Sequence, residues 1–251
     1  MRFDAAEELE RVPAAVKLAD GPGRHRLICV SSPMATAGPQ QHARLAAPFR
    51  GVRGVSALNT QGFAAGEALP TGVEAVTATF AESILQAAEG EPFVLVGYSA
   101  GGIIAHEAAA YLERVKGVKP SGVVLLDTYQ VDTDSDDSNE LMRQLFIALV
   151  GKDSEYGMFD STVLSTMACY FDLVPQFRIT SVECPVLFVG AEQPFSPDGT
   201  AVVPEDDSWA AKPWNDRQAH RTLPVNHFSM IETHAAATAA VVEEWLATLD
   251  R

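Results

Sequence analysis

Cysteine is scarce: Cys29, Cys169 and Cys184 are the only three in 251 residues. Their odd number and irregular spacing fit neither a disulfide framework nor a zinc site, and a reducing cytoplasm is the expected setting. Long apolar runs are missing as well. None approaches the ~18 residues of a membrane span. The N-terminus, Met1-Arg-Phe-Asp-Ala-Ala-Glu-Glu, is acidic where a signal peptide would be apolar. Basic residues are few: 18 Lys and Arg against 33 Asp and Glu leave a formal charge of −15. Such a surface repels phosphate backbones and anionic membranes, which argues against nucleic-acid and membrane partners. There is no internal repeat and no linker long enough to separate a second domain, so residues 1–251 read as a single domain.

What is present is an ordinary globular composition, 47% hydrophobic and 20% charged. A chain of this length buries roughly three quarters of the surface its unfolded form exposes, so its core needs no staples. Short apolar runs alternate with helical patterns. Leu27–Val30, Val52–Ala57, Phe93–Val96, Val123–Leu126, Pro185–Val189 and Ala219–Val225 read as strands. Gln40–Phe49, Val73–Ala88, Ala100–Val115 and Thr233–Leu249 read as helices. This alternation predicts an α/β fold with a mostly parallel central sheet flanked by helices. Between Asp127 and Pro185 the rhythm breaks. An acidic run (Asp132-Thr-Asp-Ser-Asp-Asp-Ser) precedes two apolar helical segments, Asn139–Val150 and Ser161–Val174. Residues 130–182 are read as a helical lid inserted between two strands; the plainer alternative is a pair of covering helices.

Gly97-Tyr-Ser-Ala-Gly101 matches G-x-S-x-G. A chain this long would show the pattern by accident about one time in ten, so context decides. The match lies between a buried-strand run and a helix, the setting a nucleophile elbow requires. The turn lifts Ser99 to the top of the sheet at a helix N-terminus, where developing negative charge is favoured. A serine needs a base and the base an orienting acid, in the chain order Ser, Asp or Glu, His for an α/β-hydrolase fold. Asp127 closes Val123-Val-Leu-Leu-Asp on the same edge of the sheet; Asp132, Asp134, Asp136 and Asp137 are loop rivals. Of six histidines, His25 and His42 precede the elbow, and His106 lies two turns along the elbow helix. His220 starts a strand and His234 falls inside the last helix. His227 remains, in the loop between the last strand and the last helix. The oxyanion needs two N–H donors: Ala100, which follows the nucleophile, and a residue of the loop after Val30. Pro33 has no N–H, which favours Met34, with Ala35 as the alternative.

Taken together, Gly97-Tyr-Ser-Ala-Gly-Gly102, Gly122-Val-Val-Leu-Leu-Asp-Thr-Tyr129, Asp206-Asp-Ser-Trp209 and Val225-Asn-His-Phe-Ser-Met-Ile-Glu232 resemble the thioesterase domain that ends a modular type I polyketide synthase. Gly38-Pro-Gln-Gln-His-Ala-Arg-Leu45 and the segment Gln61–Pro70 also fit, and the likeness runs from about Leu18 to the C-terminus. The resemblance implies Ser99, Asp127 and His227 as catalytic triad, Ala100 and Met34 as oxyanion hole, and Tyr129 facing the substrate channel. It implies no metal and no cofactor of the chain's own. The substrate would be a polyketide acyl chain on the phosphopantetheine arm of an acyl carrier protein, released by hydrolysis or by macrolactonisation. Many relatives carry His where Tyr98 stands, a position that tolerates the change. The family dimerises through apolar helices ahead of the core. Here only about twenty-five residues precede Leu27 and Pro13 interrupts them; either the sequence is an excised or trimmed domain, or a homodimer would be weak or differently built. A stand-alone editing thioesterase, a nonribosomal peptide thioesterase, a carboxylesterase and a catalytically silent interaction module are the rivals.

Overall fold

Strands buried on both faces carry unbroken runs of apolar side chains, and such runs form the centre of this molecule. The computed structural model describes residues 1–5, 12–34, 38–130, 160–193, 213–216 and 218–250. It begins with β1 (Arg2–Phe3) and β2 (Ala15–Val30), then 3-10 turn Pro39–His42, α1 (Ala43–Ala46) and 3-10 turn Ala47–Phe49. There follow β3 (Arg53–Leu58), β4 (Leu69–Pro70), α2 (Val73–Ala88), β5 (Phe93–Tyr98), α3 (Ala100–Tyr111) and β6 (Gly122–Leu126). The described elements end with α4 (Ser161–Leu173), β7 (Val186–Ala191), β8 (Ala219–Leu223) and α5 (Ala235–Leu249). The acidic run, the predicted helix Asn139–Val150 and the loop Asp206–Trp209 lie outside the described residues.

Six strands form one sheet in the order β3-β2-β5-β6-β7-β8, and β5 through β8 pair in parallel. The predicted mostly parallel sheet is therefore present. Its first strand differs from expectation, because β2 has two limbs. Leu27–Val30 stand opposite Val55–Leu58 in ascending register, whereas Ala15, Val16 and Lys17 stand opposite Leu58, Ala57 and Ser56 in descending register. The chain crosses from one edge of β3 to the other through Gly21-Pro-Gly23. A Cβ on Gly21 would lie 2.4 Å from the Arg53 nitrogen, so only glycine lets the chain pass so close.

Helices cover both faces. α5 buries Ala239, Val242 and Leu246 at helical spacing against Val94, Val96, Val124 and Leu126. α2 and α3 bury Phe80, Ile84, Ile104 and Ala108 against the other face, which carries Ile28, Leu95 and Leu125. α3 ends in a wider turn, Leu112–Lys116, closed by Gly117 at φ 67°. Because the strands run in parallel, the residues after Tyr98, Leu126 and Leu223 share one rim of the sheet.

The described segment of the predicted lid, α4, rests on the loop between β3 and α2. Asp160 caps the helix by accepting from the Thr162 and Val163 N–H groups. Thr166 then donates to the Gly62 carbonyl at 2.6 Å, and Tyr170 to that of Gln61 at 3.1 Å.

Candidate active site

The elbow is built by steric exclusion. Ser99 sits at φ 54° and ψ −133°, a conformation L-residues rarely adopt and one that persists only where the surroundings over-determine it. Two close approaches impose it. A Cβ on Gly97 would lie 2.3 Å from the Gly102 Cα, and one on Gly102 would lie 2.1 Å from Thr128 Oγ1. The fully buried Thr128 hydroxyl donates towards the Ser99 carbonyl at 3.0 Å, and the Ser99 N–H donates to the Leu126 carbonyl at 3.0 Å. Strand end, serine and helix start are thus clamped from the neighbouring strand. Ser99 itself is half-buried, and Ala100 is the first residue of α3, where an amide has no intrahelical acceptor.

Asp127 follows β6 and also has positive φ, 44°. Its Oδ2 meets His227 Nδ1 at 2.6 Å; its Oδ1 accepts from the Ala191 N–H at 2.9 Å and from the Tyr129 hydroxyl at 2.7 Å. Burial pushes this carboxyl up. The hydrogen bond and charge of His227, with the Ala191 and Tyr129 donors, outweigh burial and hold it below its ordinary range. An ionised Asp127 fixes the imidazole proton on Nδ1 and leaves Nε2 as the basic nitrogen. The Tyr129 phenol is pushed well up by burial and by the Asp127 charge, so it stays a donor.

The expected residues therefore gather unevenly. Asp127 and His227 are in direct contact, and Ser99 stands at the adjacent strand end. Tyr129, expected to face a substrate channel, is half-buried with its hydroxyl on the Asp127 carboxylate. Met34 spends its N–H inside its own loop, donating to the Ser32 carbonyl at 2.8 Å around Pro33. Ala35 lies outside the described residues. His234, expected inside the last helix, is the residue that precedes it.

Sequence reasoning missed the Tyr129 and Ala191 donors on Asp127, Thr128 on the elbow, Gln41 Oε1 accepting from the Ser32 N–H at 3.2 Å, and Tyr98 on His227. The position of Tyr98, immediately before the nucleophile, was the available signal for the last of these.

Residues 25–246 match the thioesterase domain family. The chain is 35% identical over 257 residues to the polyketide synthase GfsE of Streptomyces halstedii, covering 98% of this chain and 6% of GfsE. It is 35% identical over 258 residues to the spectinabilin polyketide synthase system protein NorC of Streptomyces orinoci, covering 99% of this chain and 11% of NorC. It thus spans about a tenth or less of the length of these relatives. Among solved structures, the NocB thioesterase domain from the nocardicin cluster superposes with a TM-score of 0.67 at 18% identity, over 93% of this chain and 99% of that one. Sheet, elbow and family match agree: the chain has an α/β-hydrolase fold and belongs to the thioesterase domain family.

Proposed function

We propose that this chain is a serine thioesterase that releases a finished polyketide from an acyl carrier protein through an acyl-Ser99 intermediate. The observation that carries the reading is the Asp127–His227 pair at 2.6 Å, on the rim where the strained Ser99 stands. His227 Nε2 takes the Ser99 proton as Oγ attacks the thioester carbonyl, and Asp127 stabilises the imidazolium. The Ala100 N–H stabilises the oxyanion; Met34 joins it once its amide leaves the Ser32 carbonyl. Collapse expels the phosphopantetheine thiolate, which takes the proton from His227, and leaves an acyl ester on Ser99. His227 then deprotonates water, or a hydroxyl of the chain itself, which displaces the acyl group as a free acid or a lactone.

Residues 130–182 act as the cap over this rim, with α4 as its anchor. The cytoplasm is the expected compartment. A carrier protein held on the same polypeptide needs little intrinsic affinity, since tethering supplies effective concentrations in the millimolar range. That matters for a surface of charge −15, which repels acidic partners.

The test compares an acyl thioester, a peptidyl thioester and a p-nitrophenyl oxyester as substrates. Preference for the acyl thioester in kcat/KM supports the proposal. Preference for the peptidyl thioester, or for the oxyester, assigns the chain to nonribosomal peptide release or to carboxyl ester hydrolysis instead.

A further inference from the structure

Tyr98 is the last residue of β5 and is buried, 4% exposed. It grips His227 at two points. Its ring lies over the imidazole, with centroids 4.7 Å apart and planes 29° apart. Its hydroxyl donates to the main-chain carbonyl of the same residue at 2.9 Å, in a buried hydrogen bond spanning 129 positions of sequence. Burial first, then the charges of Asp127 and Glu232, push the phenol well above its ordinary value, so it remains a donor.

This grip has a consequence for a base carried on a loop. His227 sits in a run of turns between Leu223 and Ala235, closed locally by Asn226 Oδ1 accepting from Ser229 N–H at 2.9 Å and by Met230 N–H donating to Asn226 at 3.1 Å. Such segments move more than the strands they join. General-base catalysis requires the reacting nitrogen within about 0.5 Å of its productive position. Asp127 fixes one ring nitrogen, which still permits the ring and its backbone to swing about that bond. The Tyr98 hydroxyl removes the swing of the backbone and the Tyr98 ring that of the imidazole plane. Since Tyr98 directly precedes Ser99, one strand end sets both the nucleophile and the base.

We infer that Tyr98 is a positioning residue of His227, helping to hold the imidazole in register with the elbow. The inference rests on the catalytic reading above, with Ser99 as nucleophile and His227 as base. Tyr98→Phe keeps the stacked ring and deletes the donor. The expected result is a folded variant whose kcat on an acyl thioester falls about tenfold with KM within about twofold of wild type. Proton NMR supplies a readout that simple core packing would not move. The Nδ1–H of His227, bonded to Asp127, gives a downfield resonance in the wild type that broadens through exchange in Tyr98→Phe. A wild type without that resonance, a variant whose resonance is as sharp as the wild type's, a normal kcat, or a variant that fails to fold would overturn the inference. The resonance is read without substrate. A wild type that turned over no thioester would therefore defeat the proposed function and leave this spectroscopic test standing.

Discussion

At Gly102 the elbow leaves no space for a methyl group. The obstructing Thr128 is fully buried and donates to the Ser99 and Leu126 carbonyls, so it cannot swing aside without surrendering them. Gly102→Ala is expected to destabilise by about 1–3 kcal/mol, read as a lower thermal midpoint; an unchanged midpoint would show the clamp to be loose. Asp127 acts through charge as much as shape. Asp127→Asn keeps its volume but removes the charge facing Nδ1–H, so kcat should fall by roughly 10³–10⁴. A loss under tenfold in thioester turnover would take Asp127 out of the proposed machinery.

Elements are joined across the molecule by a few buried polar ties. Arg53, at the start of β3, donates to both carboxylate oxygens of Glu243 on α5 and to the carbonyls of Arg24 and His25. Because its side chain is only 8% exposed, Arg53→Ala leaves the His25 carbonyl, at the end of a buried hydrogen bond, without this donor. The expected loss is about 2 kcal/mol, measurable by urea denaturation; Glu243→Gln should cost less, since that carboxylate is 41% exposed.

Elements with a strong period were legible from sequence. α2 spans Val73–Ala88 as its spacing predicts, and β5 extends the Phe93–Val96 run by two residues into the elbow. The first limb of β2 was not legible. Ala-Val-Lys-Leu-Ala-Asp alternates poorly because it lies at the sheet margin, and a crossing through Gly-Pro-Gly reads as a plain loop. Nor could β1 and β4 be foreseen, since two-residue strands carry no period. At the site, Ser99, Asp127 and His227 were read from strand ends and chain order. Tyr98 and Thr128 were not, because what a side chain reaches across a rim depends on the register of neighbouring strands.

For the whole molecule, acid is the exposed weakness. His42 is fully buried; burial, only partly offset by a main-chain contact with Val30, lowers its pKa from 6.5 to about 4. The fold prefers the neutral ring while the unfolded chain takes up a proton below 6.5. Stability is therefore complete above pH 6.5 and lost as pH falls towards 4, by about 3 kcal/mol from this group. Asp127, whose carboxyl is depressed in the fold, adds a further loss below its ordinary value of 3.8. His42→Leu should flatten the fall in thermal midpoint between pH 6.5 and 4; an unaltered slope would assign it elsewhere.

The fold converges three distant segments on one rim, and the proposed activity needs the hydroxyl there to be a nucleophile. Mass spectrometry after treatment with a fluorophosphonate tests that most directly. The expected outcome is one adduct per chain, on the peptide bearing Ser99, absent from Ser99→Ala and formed far more slowly in His227→Ala. An adduct on another residue, or equal labelling of Ser99→Ala, would contradict it.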